Sequence, residues 1–353
     1  MQSELNKRLC DAVDAAFDRQ VAFLAELTAH PSTRGQEQSA QAFMAKELTD
    51  RGYELDQWQI DVAEIQDMPG FSPVLGPYQD ALNVVGTHRS RSGAGRSLIL
   101  NGHIDVVPAG PLEMWDTPPF EPRVENGWLY GRGGGDMKAG LASNLFALDA
   151  LAACGWAPGA DVFFQSVVEE ECTGNGALAC LARGYRADAA LIPEPFSERL
   201  VTAQLGVIWF QVHLKGRPTH VAYAGSGANA IEAAIPLITA LHAMEHRWNA
   251  AENRPGDYAH IDHDLNPNSG KVEGGDRARS APGMGTPRGA RGGALGGVPR
   301  TAMLRPLELT VSQGGYEKLG GHVEQVRSVS DVLAGGGQYA RSTHIVPTKL
   351  KKP

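Results

Sequence analysis

The sequence predicts an α/β protein: a mostly parallel sheet with helices on both faces, followed by a smaller α+β domain. Three observations carry this. Apolar strand-like runs alternate with helical patterns from residue 82 to 195, the signature of βαβ units. Acidic residues gather where those runs end, at the C-terminal strand edge where such sheets bind ligands. From Gly206 the texture changes to a half-buried strand pattern, a glycine-rich loop and a long amphipathic helix.

Each element has its own signal. Val13, Phe17, Val21, Phe23, Leu24 and Leu27 recur near helical spacing, and Pro31 ends that helix. Glu37 to Leu48 repeats the pattern with Ala40, Phe43, Met44 and Leu48, stopped at Gly52. LNVVGT (82–87), SLILNGHIDVV (97–107) and WLYG (128–131) read as strands. A helix from Met137 to about Cys154 follows, then strand DVFFQSVVEEE (161–171), helix GNGALACLAR (174–183) and strand AALIPEP (189–195). The first domain is set at 1–204 and the second at 205–276. The second holds strand GVIWFQVHLKG, a loop GRPTHVAYAGSGANA, helix Ala230–Trp248 and a return strand GKVEGG (270–275).

The chain of 353 residues is 42% hydrophobic, enough for two cores. Its net charge of −8 is unevenly placed. Residues 277–353 hold 12 Lys+Arg against 4 Asp+Glu, and residues 1–276 hold 20 against 36. Residues 277–300 contain seven glycines, three prolines, five arginines and no acid, a composition that buries no core. Residues 277–353 therefore read as an atypical tail, either disordered or translated in a shifted frame, with a helix-like stretch YEKLGGHVEQVRSVSDVL. The DNA beyond the Asp276 codon distinguishes the two. The arginine-rich segment lacks interleaved aromatics, which argues against a nucleic-acid partner. Four scattered cysteines suit a reducing cytosol, and Cys172 reads as a small buried residue rather than a nucleophile. The N-terminus has no signal-peptide core, and no run approaches the ~18 apolar residues of a membrane span.

The chemistry lies in four short stretches. NGHIDVVP, GRGGGDMKAG, VVEEECTGNGA and LIPEP place His103, Asp136, Glu171 and Glu194 as candidate metal ligands. Hydrolytic metal sites combine imidazole and carboxylate donors with a further carboxylate that moves a proton, and Glu170 is the candidate for that role. Asp105, two residues beyond His103, is the candidate to accept the ring's other N–H and fix its tautomer. Taken singly these signals are weak. A lone His-x-Asp is more often a surface pair, and three glutamates in a row are usually solvated. Here the glutamates end an apolar strand, where like charges repel unless a cation is near. The glycine loop before Asp136 meets neither the P-loop spacing nor the dinucleotide fingerprint.

In order and spacing the four stretches resemble the zinc-dependent deacylase and exopeptidase family. That family includes acetylornithine deacetylase, succinyl-diaminopimelate desuccinylase, aminoacylase and carboxypeptidase G. The opening LTAHPSTRGQEQSAQAFMAKELTDRGY is similar too, and the resemblance covers about residues 15–276. It implies a zinc-exopeptidase-like fold with a lid/dimerisation domain, and hydrolysis of the amide bond of an N-acyl amino acid or short peptide. It implies two zinc ions per subunit, with cobalt as a substitute: His103 and Glu194 on one, Glu171 on the other, and Asp136 bridging. Glu170 becomes the general base and Asp105 the residue that orients His103. His220, in GRPTHVAYAG, stabilises the oxyanion in a neighbouring subunit's site, which implies a homodimer. Asn229 becomes a substrate contact. The resemblance stops after VEGGD, so neither His322 nor His344 is carried over as a ligand. A metal-binding but non-catalytic dimerisation module is the alternative reading.

Overall fold

The computed structural model describes residues 2–74, 76–90, 92–196, 200–201, 212, 214–217, 219–253, 266–269 and 272, with the backbone pairs 280–281, 322–323 and 348–349. The chain divides into two compact units, Met1–Leu200 with Arg341–Pro353, and Val201–Ala340.

In the first unit the chain runs α1 (Gln2–Ala29), α2 (Gln38–Asp50), β1 (Glu54–Gln59), α3 (Val62–Ile65), β2 (Leu82–His88) and β3 (Leu98–His103). It continues through β4 (Arg123–Glu125), β5 (Trp128–Tyr130), α4 (Ala139–Ala153), β6 (Val162–Val167), α5 (Asn175–Ala182) and β7 (Ala189–Leu191). The central sheet has the order β1-β2-β6-β3-β7. β6, β3 and β7 are parallel, and β2 runs against both β6 and β1, so four of the five strands share one direction. The fold is the expected α/β class with a mostly parallel sheet. Thr348 and Lys349 pair antiparallel with β5.

Helices cover both faces of this sheet. On one face Leu27 of α1, Met44 and Leu48 of α2, and Leu141 and Leu145 of α4 pack with Val84, Leu100 and Phe164. Burying each such side chain contributes about 1.5–3 kcal/mol before chain entropy is counted. On the other face Trp58, Val85 and Val167 pack with Cys180 of α5. Asn83 from β2 donates to the Gly176 carbonyl at 2.7 Å, tying α5 to that face.

Element ends differ from the sequence reading in physically clear ways. β3 stops at His103, because the chain then turns so that Val106 N–H donates to the Ser32 carbonyl at 3.0 Å. β6 likewise ends at Val167, before the glutamates, where Glu169 adopts φ +68°. β1, with the polar sequence ELDQWQ, has no apolar run to announce it. Cys172 is half-buried rather than buried.

In the second unit β8 (Leu214–Lys215), β9 (Thr219–His220) and α6 (Ala230–Trp248) are described. Asn229 caps α6, its Oδ1 accepting the Ile231 N–H at 3.0 Å. Ser280–Ala281 pair with β9, and His322–Val323 pair with β8. Residues 322–323 are extended, and the rest of the helix-like stretch 316–333 lies outside the described residues. Most of the expected strand at 206–216, and the return strand at 270–275 apart from Val272, lie outside the described residues.

Candidate metal centre

The site forms where β3, the turn after β6, the turn before α4 and the segment after β7 converge in the first unit. His103 closes β3, and its side chain is 1% exposed. Its Nδ1–H donates to the main-chain carbonyl of Asp105 at 2.8 Å. Nε2 therefore faces the acids: Asp136 Oδ1 at 3.2 Å, Glu170 Oε2 at 3.5 Å and Glu194 Oε1 at 3.7 Å.

Asp105 does not hold the ring with its carboxylate as expected. Its Oδ1 lies 3.6 Å from Nδ1, while its oxygens accept the backbone N–H groups of Glu170 at 3.2 Å and Glu171 at 3.0 Å. The strand has already ended, so Asp105 offers the ring its carbonyl and offers the glutamate turn its side chain.

Asp136 is presented by the glycine turn. Gly133 takes φ +77°, and a Cβ there would lie 2.3 Å from Val106 Cγ1, so only glycine lets this turn approach the end of β3. The next residues are anchored from below. Lys138, fully buried, donates to the Leu27 and His30 carbonyls at 3.0 and 2.9 Å, joining the turn to the end of α1. Burial pulls its ammonium down to about 7.

The three glutamates have separate environments. Glu169 pairs with Arg34 and accepts the Thr173 hydroxyl at 3.0 Å. Glu170 and Glu171 follow into the site. Burial pushes Glu170 up to about 8, with Asp105, Glu194 and Glu171 adding to it and His103 opposing it. Burial also pushes Glu194 up to about 7. For His103, burial favours the neutral ring, but the hydrogen bond to Asp136 and the charges of Asp105, Glu170 and Glu194 raise it well above its ordinary value. Arg132 stacks over Trp115 at 5.3 Å and donates to the Ala109 carbonyl at 3.3 Å, with its charge near Glu171 and Asp136.

Among the described residues, two groups have ligand atoms within 4.8 Å of one another: His103, Asp136 and Glu171, and His103, Glu170 and Glu194. One imidazole nitrogen among hard carboxylate oxygens suits a divalent cation. So does the concentration of buried acids, whose repulsion a cation relieves. All six residues proposed from the sequence for this unit thus meet in one place. His220 belongs to the other unit, at the end of β9, where its Nδ1 accepts the Ala222 N–H at 3.1 Å. Asn229, expected at substrate, serves as a helix cap. Arg34 and Lys138 carry no local signal in the sequence: their partners lie 135, 111 and 108 residues away.

Comparison with known proteins gives relatives in sequence and in fold. An N-formyl-4-amino-5-aminomethyl-2-methylpyrimidine deformylase from Halalkalibacterium halodurans is 40% identical over 190 residues, covering 51% of this chain and 44% of the relative. A succinyl-diaminopimelate desuccinylase from Dechloromonas aromatica is 36% identical over 157 residues, covering 42% of each. The chain spans less than half the length of either relative. The di-peptidase Dug1p from Saccharomyces cerevisiae has a similar fold, with TM-score 0.56, 16% identity, and coverage of 89% of this chain and 74% of that one. Residues 99–327 match the profile of Peptidase family M20/M25/M40, a family of hydrolases and metallopeptidases. The chain belongs to Peptidase family M20/M25/M40.

Proposed function

We propose that the protein is a zinc-dependent hydrolase that cleaves the amide bond of an N-acyl amino acid or short peptide. The observation that carries this is the convergence of Asp136, Glu170 and Glu194 on His103 Nε2, with Glu171 completing a second group around it. His103, Asp136, Glu171 and Glu194 would hold the metal, with Asp136 shared between two ions. Bound there, zinc would supply a Lewis acid for the amide carbonyl and would make a water more acidic.

The chain's own residues do the rest. The Nδ1–H bond to the Asp105 carbonyl selects the tautomer whose Nε2 lone pair is directed at the acids. Glu170, raised by burial, is a base matched to near-neutral pH. It takes a proton from the attacking water and delivers it to the leaving amine nitrogen. His220 is assigned to the oxyanion of a partner subunit's site in a homodimer, a role supported by the sequence resemblance.

The test is amine release from a panel of N-formyl, N-acetyl and N-succinyl amino acids by the zinc-loaded chain, beside Glu170→Gln. We expect turnover that falls by about 10²–10⁴-fold in Glu170→Gln with zinc retained. A chain that binds zinc and releases no amine from any substrate would favour the non-catalytic reading.

A further inference from the structure

Residues Thr33–Gln36 close a β-turn: the Gln36 N–H donates to the Thr33 carbonyl at 2.8 Å, and Gly35 takes φ +82°. Positive φ at the third position is what a type II turn requires. The turn is pinned to the segment after His103 by a parallel bridge between Thr33 and Val106. Arg34 therefore leaves the turn from a fixed base. Its Nε donates to Glu169 Oε1, and its Nη2 donates to the Gly76 carbonyl at 3.3 Å.

Glu169 is held on all sides. Its side chain is 2% exposed, its Oε2 accepts the Thr173 hydroxyl, and its carbonyl accepts the Thr173 and Gly174 N–H groups at 2.9 and 2.7 Å. Its φ of +68° is one that residues with a Cβ rarely take and that persists only where surroundings over-determine it. That left-handed residue reverses the chain after β6. Glu170 and Glu171 then reach the Asp105 carboxylate through their N–H groups, and Glu170 reaches His103 through its side chain.

We propose that Arg34 is a positioning residue for Glu170: its ion pair with Glu169 holds the left-handed turn that aims the next carboxylate at His103. This rests on the proposed role of Glu170 as base. A merely structural ion pair predicts a different outcome, because losing it loosens the whole fold rather than one turn.

The experiment measures backbone hydrogen exchange and turnover on the full zinc-loaded chain and its Arg34→Lys, Arg34→Ala, Glu169→Gln and Arg34→Ala/Glu169→Gln variants. In Arg34→Ala the amides of Glu170 and Glu171 should exchange about tenfold faster, with β3 and β6 unchanged. Its kcat should fall by up to about 10²-fold with KM little altered, since misplacement of a reacting group acts on the chemical step. Arg34→Lys should lie between it and the parent chain, and the double variant should be no worse than Arg34→Ala. Unchanged exchange at Glu170 and Glu171, or acceleration spread evenly through β3 and β6, overturns the proposal. If Arg34→Ala does not fold, Arg34→Lys and Glu169→Gln give the same reading. The exchange arm needs no turnover, so it tests the clamp separately. Full activity in Glu170→Gln would instead refute the base assignment.

Discussion

Asp105 Oδ2 accepts the main-chain N–H of Glu171 at 3.0 Å. With Oδ1 on the Glu170 N–H, one buried carboxylate splints the end of β3 to the turn after β6. An Asp105→Asn chain offers one acceptor oxygen where two are used, and turns an amide donor toward the other N–H. Leaving a buried donor unmet costs about 1–3 kcal/mol. Asp105→Asn should lose stability in urea on that scale and bind zinc more weakly, because the ligands on either side of the splint shift apart. Parent-like urea midpoint and zinc affinity would remove the splint role.

Asp136 and Glu171 should differ as ligands. Asp136, 3.2 Å from His103 Nε2, carries the proposed bridging role, whereas Glu171 is proposed for one ion alone. Asp136→Ala should therefore lower zinc content at both positions, and Glu171→Ala should leave the His103–Glu194 position filled. Elemental analysis after dialysis measures this, and equal loss in the two variants counts against a bridge.

The parts of this molecule that follow a period were legible in the sequence. α6 begins at Ala230 and ends at Trp248 as the apolar spacing requires, and β2 and β6 follow their apolar runs. The ligand candidates were legible because strand ends and a glycine turn are local features. What escaped was set by distant partners. The sequence shows that three adjacent glutamates call for a cation, but not that Arg34, 135 residues away, supplies it to Glu169 alone. Nor does spacing show that β3 ends at His103, which decides whether Asp105 meets the ring by its carbonyl or its carboxylate.

Protonation gives a signed prediction. Burial raises Glu170 to about 8, Glu194 to about 7 and Glu37 to about 7, and the surrounding acids raise His103. A raised carboxyl keeps in the folded chain a proton that the unfolded chain has released, and a raised histidine does the same. Between about pH 5 and 7 the folded state therefore binds more protons, and the stability of the EDTA-stripped chain should fall as pH rises. Lys138, lowered to about 7, acts in the opposite sense only above that window, and His30, lowered by burial, opposes within it as one group against the four. Zinc needs the ligands deprotonated, so binding should release protons and tighten with pH. Urea denaturation across the window and calorimetric zinc titration in buffers of different ionisation heat measure both. A stripped chain more stable at the upper end, or buffer-independent heats, would contradict the proton count.

Gly140 connects helix packing to the position of Glu194. In the first turn of α4, a Cβ at Gly140 would lie 2.5 Å from the Pro193 carbonyl oxygen and 2.9 Å from Met137 Cε. Alanine gains at most about 1 kcal/mol over glycine in a helix, but an overpacked contact costs about 1–3 kcal/mol. The contact is with backbone that has no rotamer to yield, so the clash should win. The relief open to the chain is to push Pro193 outward, which carries Glu194 away from His103 Nε2, now 3.7 Å distant. Gly140→Ala should thus be less stable and hold less zinc, whereas Gly225→Ala, where a Cβ meets nothing within 4 Å, should change neither. Denaturant midpoints and bound zinc in the two variants decide it: a Gly140→Ala chain with unaltered stability and full zinc would show that the helix does not set the ligand's position.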